Sequence, residues 1–284
     1  MEKKTAVIME GGAMRGMFTC GVLDVFMENG ITFDAGVGIS AGAVFGCNYK
    51  SKQIGRPIRY NKKYAKDKRY CSIRSWIKTG DMYGVDFCYR ELPYELDPFD
   101  WETYKTNPMK FYIGTTNAET GEPEYYLCTG DEERDLKWMQ ASASMPVVSR
   151  IVKVDGLKML DGGMIDAVPF KFMENLGYNR NVIILTQAKG YRKTQTRILP
   201  LAKITLRKYP KMVEVLRDRH NMYNKQMDDI DAIEASGKSI VIRPPESLGI
   251  GRTESDPDEL ERVYQVGRKV AEERLEEIKE YLNK

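Results

Sequence analysis

Histidine is almost absent from this 284-residue chain, with His220 the single instance. A site needing two imidazoles, such as a His-x-x-x-His zinc centre, is thereby excluded. A Ser-His-Asp triad must use His220 or not exist. Cysteine is scarce and unpatterned: Cys20, Cys47, Cys71, Cys88 and Cys128 are odd in number and form no Cys-x-x-Cys pair. That argues against a disulfide framework or a zinc cluster and for reduced thiols in a cytosol. Net charge is small too. The 44 Lys and Arg nearly balance 41 Asp and Glu, leaving +3, so no global polyelectrolyte case for nucleic acid follows. No apolar run reaches the about 18 residues that would suggest a membrane span. The run that ends at Met9 is also too short for a signal-peptide core. The expectation is a soluble, cytoplasmic protein, with at most a peripheral hold on a membrane.

What is present is the composition of a folded globular chain, 42% hydrophobic and 30% charged. Its start reads as strand, helix, strand, helix. Thr5 to Met9 is a short apolar run stopped by Gly11 and Gly12. From Met14 to Asn29 the side chains of Phe18, Val22, Val25 and Phe26 share one helical face, and Asn29-Gly30 supplies a left-handed stop. A second strand lies within Ile31 to Ile39 and a second helix at Ala41 to Tyr49. This alternation predicts an α/β fold with a mainly parallel sheet covered by helices. Further strands are expected at Phe111 to Thr116, Glu124 to Cys128, Ile151 to Val154, Lys158 to Leu160, Val182 to Leu185 and Ser239 to Ile242. A C-terminal helix opens with Asp256 as N-cap, Pro257 in the first turn and Glu259 placed to close a capping box. The simplest division is a catalytic part over 1–195 and a helical C-terminal part over 196–284 packed on the same domain.

Residues 50–78 carry eleven Lys or Arg against one acid, Asp67, with Tyr60, Tyr64, Tyr70 and Trp76 interleaved. A solvated helical face is the first reading of this stretch. Contact with an anionic membrane surface comes second, and nucleic acid third.

Three short motifs have the form of reactive loops. Gly38-Ile39-Ser40-Ala41-Gly42 is a Gly-x-Ser-x-Gly sequence between a strand and a helix, the setting of a nucleophile elbow or of a plain glycine-rich turn. Glu10-Gly11-Gly12-Ala13-Met14-Arg15-Gly16 leaves backbone N–H groups unblocked at a helix start. Such a loop serves an oxyanion hole, a phosphate cradle with Asp34 as a ribose acid, or a tight packing turn. Asp161-Gly162-Gly163 alone is a turn signal. Beside a serine in a chain so poor in histidine, it also offers a carboxylate base. Partial burial raises the proton affinity of such a carboxylate above its ordinary value.

In this order the three motifs, with Ala141 to Pro146 before the last and Pro169 after it, resemble the patatin-like phospholipase family over about residues 5–190. The resemblance implies a three-layer α/β/α fold and a serine acyl hydrolase of lipid esters, phospholipids first. It implies Ser40 as nucleophile, Asp161 as base, and an oxyanion hole from Gly11, Gly12 and Ala13. Arg15 and Gly16 would order that loop, Gly38 and Gly42 would flank the elbow, and Gly162 and Gly163 would form the base turn. Ala13 stands where the family more usually has a third glycine. Neither metal nor organic cofactor is implied. The competing reading is a non-catalytic protein that binds a nucleotide or an anionic lipid through the same loops. His220, in a polar run on an expected exposed helix, is not assigned to the chemistry. The motifs do not give acyl or headgroup preference, or oligomeric state.

Overall fold

The computed structural model describes residues 3–283. Its strands are β1 (Thr5–Met9), β2 (Ala35–Ile39), β3 (Lys110–Asn117), β4 (Pro123–Leu127), β5 (Val152–Val154), β6 (Leu157–Asp161), β7 (Arg180–Ile184) and β8 (Ser239–Ile242). They form one sheet in the order β5-β6-β3-β2-β1-β7-β8, with β4 also paired to β3. The run β3-β2-β1-β7-β8 is parallel throughout, whereas β4, β5 and β6 join antiparallel. The helices are α1 (Met17–Glu28), α2 (Ala41–Lys50), α3 (Arg56–Tyr64), α4 (Ile73–Thr79), α5 (Trp101–Thr106), α6 (Glu132–Ser142), α7 (Phe170–Asn175), α8 (Leu199–Thr205), α9 (Pro210–Ala235), α10 (Pro257–Glu273) and α11 (Leu275–Asn283).

Period-two alternation of side chains explains how the layers form. On β1, Val7 and Met9 enter a core with Phe18, Val22 and Phe45 from α1 and α2. Ala6 and Ile8 face the other way, into a core with Phe170 and Met173 of α7 and Tyr223, Met227 and Ile230 of α9. Helices therefore cover both faces of the sheet, the three layers expected of buried parallel strands. The C-terminal segment is woven into this arrangement. β8 extends the sheet, and α10 crosses α1 so closely that a Cβ on Gly21 would lie 2.1 Å from the Tyr264 carbonyl oxygen.

Several sequence expectations shift in detail. α1 begins at Met17, after a tight 3₁₀ turn over Ala13–Gly16, because the loop before it is held away from α-geometry. The helix stops as read, with Gly30 at φ 66° and the Ile31 N–H returning to the Phe26 carbonyl. Asp256 does cap α10, accepting from the Asp258 N–H at 3.0 Å. The capping box does not close, because Glu259 pairs with Arg262 and the Asp256 N–H goes to Glu254 instead. Residues 50–78 are not one solvated face. Arg56, Tyr60, Tyr64 and Tyr70 are buried, Arg56 pairs with Asp97 at 3.3 Å, and the Lys50 ammonium donates to the carbonyls of Asn107 and Met109 at 2.6 Å. Satisfied hydrogen bonds let these polar groups lie inside.

Candidate active site

Ser40 ends β2 and opens α2 in a conformation that L-residues rarely adopt, φ 53° and ψ −117°. The glycines around it permit that turn. A Cβ on Gly38 would lie 2.3 Å from the Gly42 carbonyl oxygen, and one on Gly42 would lie 2.3 Å from that of Met9. The Ser40 N–H donates to Ser142 Oγ at 2.8 Å, and Ser142 in turn donates to the Gly114 carbonyl at 2.7 Å. This relay pins the elbow to α6 and β3. A non-glycine residue held in such a region, over-determined by its surroundings, is typical of functional strain.

Asp161 closes β6, paired with Thr115 of β3, and is almost wholly buried. Its N–H donates to the Ser144 carbonyl at 2.9 Å, and its own carbonyl accepts from Thr116 Oγ1 at 2.8 Å. Its carboxylate accepts from the Gly163 N–H at 2.8 Å, and the Ser40 side chain stands next to it, near enough to favour its charged form. Burial pushes the carboxyl above its ordinary range. The Ser40 side chain, the Arg219 charge, the Gly163 N–H and the Lys193 charge all act in the opposite direction. Gly162 and Gly163 open the tight 3₁₀ turn that follows.

The glycine-rich loop is held from beneath by Glu10, a buried carboxylate at the end of β1. Its Oε2 accepts from the Thr186 N–H at 2.7 Å and from Thr186 Oγ1 at 3.2 Å, while Oε1 accepts from the Tyr223 hydroxyl at 2.8 Å. Above this anchor Gly12 has φ −168° and ψ 11°, and Ala13 takes a left-handed φ of 48°. Among the described residues nothing accepts a hydrogen bond from the N–H groups of Gly11, Gly12 or Ala13. Gly16 leaves the loop against the Phe45 ring. Arg15, expected to order the loop, keeps a buried Nε without a partner. The ordering contacts come from Glu10, Thr186 and Tyr223. Asp34 is not free for a ribose, because it accepts from the Thr5 N–H and hydroxyl at 2.7 and 2.9 Å.

Ser40 and Ala13 stand at the wall of a cavity of about 270 Å³. Most of its lining is apolar, with Val44, Phe45, Leu92, Phe99 and Met139 among the contributors. Such a pocket suits a hydrocarbon chain. His220 lies on α9, half-buried, with Nδ1 lacking a hydrogen-bond partner. It is not among the residues lining this cavity. No group of three His, Cys, Asp or Glu among the described residues could hold a metal ion, and no described helix is long and apolar enough to cross a membrane. Sequence reasoning gave no role to Glu10, Ser142, Thr186, Arg219 or Tyr223. Of these, Glu10 opened the glycine-rich loop motif and Ser142 stood in the small-residue block before the base strand; the other three carried no signal.

A family description, patatin-like phospholipase, matches residues 7–173, more than half of the chain. A second, a domain of unknown function (DUF6363), matches residues 209–283. The chain is 29% identical over 197 residues to the uncharacterized protein YjjU of Escherichia coli K12, covering 64% of this chain and 52% of that one. It is 24% identical over 309 residues to the lysophospholipase nte1 of Aspergillus terreus, covering 98% of this chain but 18% of that one. The match thus spans about half of the first relative and under a fifth of the second. Among solved structures, VipD from Legionella pneumophila aligns with a TM-score of 0.48 at 13% identity, over 98% of this chain and 67% of that one. With the family match running from β1 through the Ser40 elbow to the Asp161 turn, this chain belongs to the patatin-like phospholipase family.

Proposed function

We propose that this protein is a serine hydrolase of lipid carboxylic esters, phospholipids first, working through a Ser40–Asp161 dyad. The observation that carries it is Ser40 at a strained elbow, beside the buried Asp161 carboxylate and facing an apolar cavity. Ser40 Oγ attacks the ester carbonyl as its proton passes to Asp161. The carbonyl oxygen, now an alkoxide, is held by the free N–H groups of Gly12 and Ala13. Collapse expels the alcohol, which takes the proton from Asp161. Water then attacks the acyl-serine with Asp161 again as base, releasing the fatty acid and restoring the hydroxyl. The family name and the lysophospholipase relative support a lipid ester as substrate. The strain at Ser40, which costs on the order of 1–3 kcal/mol, is in keeping with a reactive elbow.

On this reading residues 1–195 hold the reacting groups, and residues 196–284 complete the same domain. Peripheral contact with a bilayer, the second reading of residues 50–78, narrows to α4. There Ile73 and Ile77 are 67% and 75% exposed, one turn apart, beside Arg74 and Lys78. A cytoplasmic setting accords with five free thiols. The test is fatty-acid release from a lysophospholipid by the purified protein. Ser40→Ala should be inactive and His220→Ala near wild type. An inactive His220→Ala that folds normally would overturn the dyad.

A further inference from the structure

Four cations converge on the dyad from four separate segments. Arg15 follows the glycine-rich loop, Lys193 lies in the segment after β7, Arg219 is on α9, and Arg252 lies between β8 and α10. Their placement is specific. Arg219 Nε donates to the Gly163 carbonyl at 2.7 Å, at the base turn. The Lys193 ammonium sits 3.2 Å from the centroid of the Tyr223 ring, whose hydroxyl is bonded to Glu10 beneath the loop. Arg252 lines the same cavity as Ser40 and Ala13. Arg15 Nε is buried without a partner.

Among the described residues none of these four forms a salt bridge; Arg15, Lys193 and Arg219 are half-buried and Arg252 is exposed. Arg56 pairs with Asp97, Arg243 with Asp231 and Glu234, and Arg268 with Glu28. The carboxylates that act most strongly on Lys193 and Arg219 are Glu10 and Asp161. Glu10 is already engaged by Thr186 and Tyr223, and Asp161 by Ser40 and Gly163. Counted with every group ionised, the four cations exceed these two carboxylates by two. Burial, together with Arg219, Arg15 and Arg252 and against the pull of Glu10, pushes the Lys193 ammonium well below its usual range. Clustered, uncompensated cations are unfavourable in a folded protein unless an anion completes them.

We infer that Lys193, Arg219 and Arg252 form an anion subsite for the phosphate of the substrate headgroup, and that the protein selects acidic headgroups over zwitterionic or uncharged ones. This rests on the ester-hydrolase reading for what is cleaved. It goes beyond that reading in giving the segment after residue 190 the choice of headgroup. A phosphate oxygen accepts strong, charge-assisted hydrogen bonds from guanidinium and ammonium groups. A choline headgroup would bring its own positive charge into a region already in surplus.

Four monooleoyl esters test the inference: lysophosphatidic acid, lysophosphatidylglycerol, lysophosphatidylcholine and monooleoylglycerol. The two acidic esters should show a kcat/KM at least tenfold above the other two. In Lys193→Met and Arg252→Ala the acidic-to-zwitterionic ratio should drop at least fivefold through KM, and Lys193→Arg should restore it. Equal rates on all four, or a ratio unmoved in both variants, overturns the inference. Calorimetric binding to full-length Ser40→Ala reads the subsite without turnover. Tighter binding of lysophosphatidic acid than of lysophosphatidylcholine supports the subsite even if no ester is cleaved, and equal binding rejects it.

Discussion

Replacing Ser40 by glycine separates the strain at the elbow from the chemistry performed there. The φ of 53° and ψ of −117° at Ser40 should cost an L-residue about 1–3 kcal/mol. Alanine keeps the Cβ and so keeps the strain, whereas glycine removes it. Glycine gives back about 0.5–1 kcal/mol through the larger freedom of the unfolded chain. Ser40→Gly should therefore exceed Ser40→Ala in stability by up to about 2.5 kcal/mol. For a chain of this size about 2 °C of Tm accompanies each kcal/mol, giving a gap of up to about 5 °C. Both variants should lack esterase activity, so scanning calorimetry at neutral pH compares two inactive proteins of one fold. A glycine variant melting clearly below the alanine variant would refute a strained elbow.

Two more outcomes follow from the site. Asp161→Asn should lower kcat by about 10²–10⁴, measured on a short soluble ester. Because burial raises the folded-state pKa of Asp161, its contribution to stability is fullest below the ordinary aspartate range and is lost as pH rises through the raised value. Asp161→Asn should accordingly melt above wild type near neutral pH, with the gap closing under acid, while wild-type kcat/KM falls as the base is protonated. Ala13→Gly frees a residue held at φ 48° and should stabilise the fold by about 0.5–1 kcal/mol, with ester hydrolysis retained within a few-fold.

The elements that place the reacting groups were legible because each has a local cause. β1 and β8 end where their apolar runs end, and the Ser40 and Asp161 turns are announced by glycines whose missing Cβ atoms the fold requires. What holds the site was not legible, because its contacts join residues far apart in sequence. Glu10 meets Thr186 and Tyr223 across 176 and 213 positions, and Arg219 reaches Gly163 across 56. No periodicity or short motif encodes such pairs. The basic stretch misled for a related reason. Charge counted along the chain cannot tell Arg56, interior and paired with Asp97, from exposed neighbours such as Lys68 and Arg74.

Covalent labelling with a fluorophosphonate, followed by mass spectrometry of the peptides, bears most directly on Ser40 as the nucleophile. The expected result is a single phosphonylated peptide carrying the adduct on Ser40, absent in Ser40→Ala and strongly slowed in Asp161→Asn. An unlabelled wild-type protein, or an adduct on another serine that persists in Ser40→Ala, would contradict it.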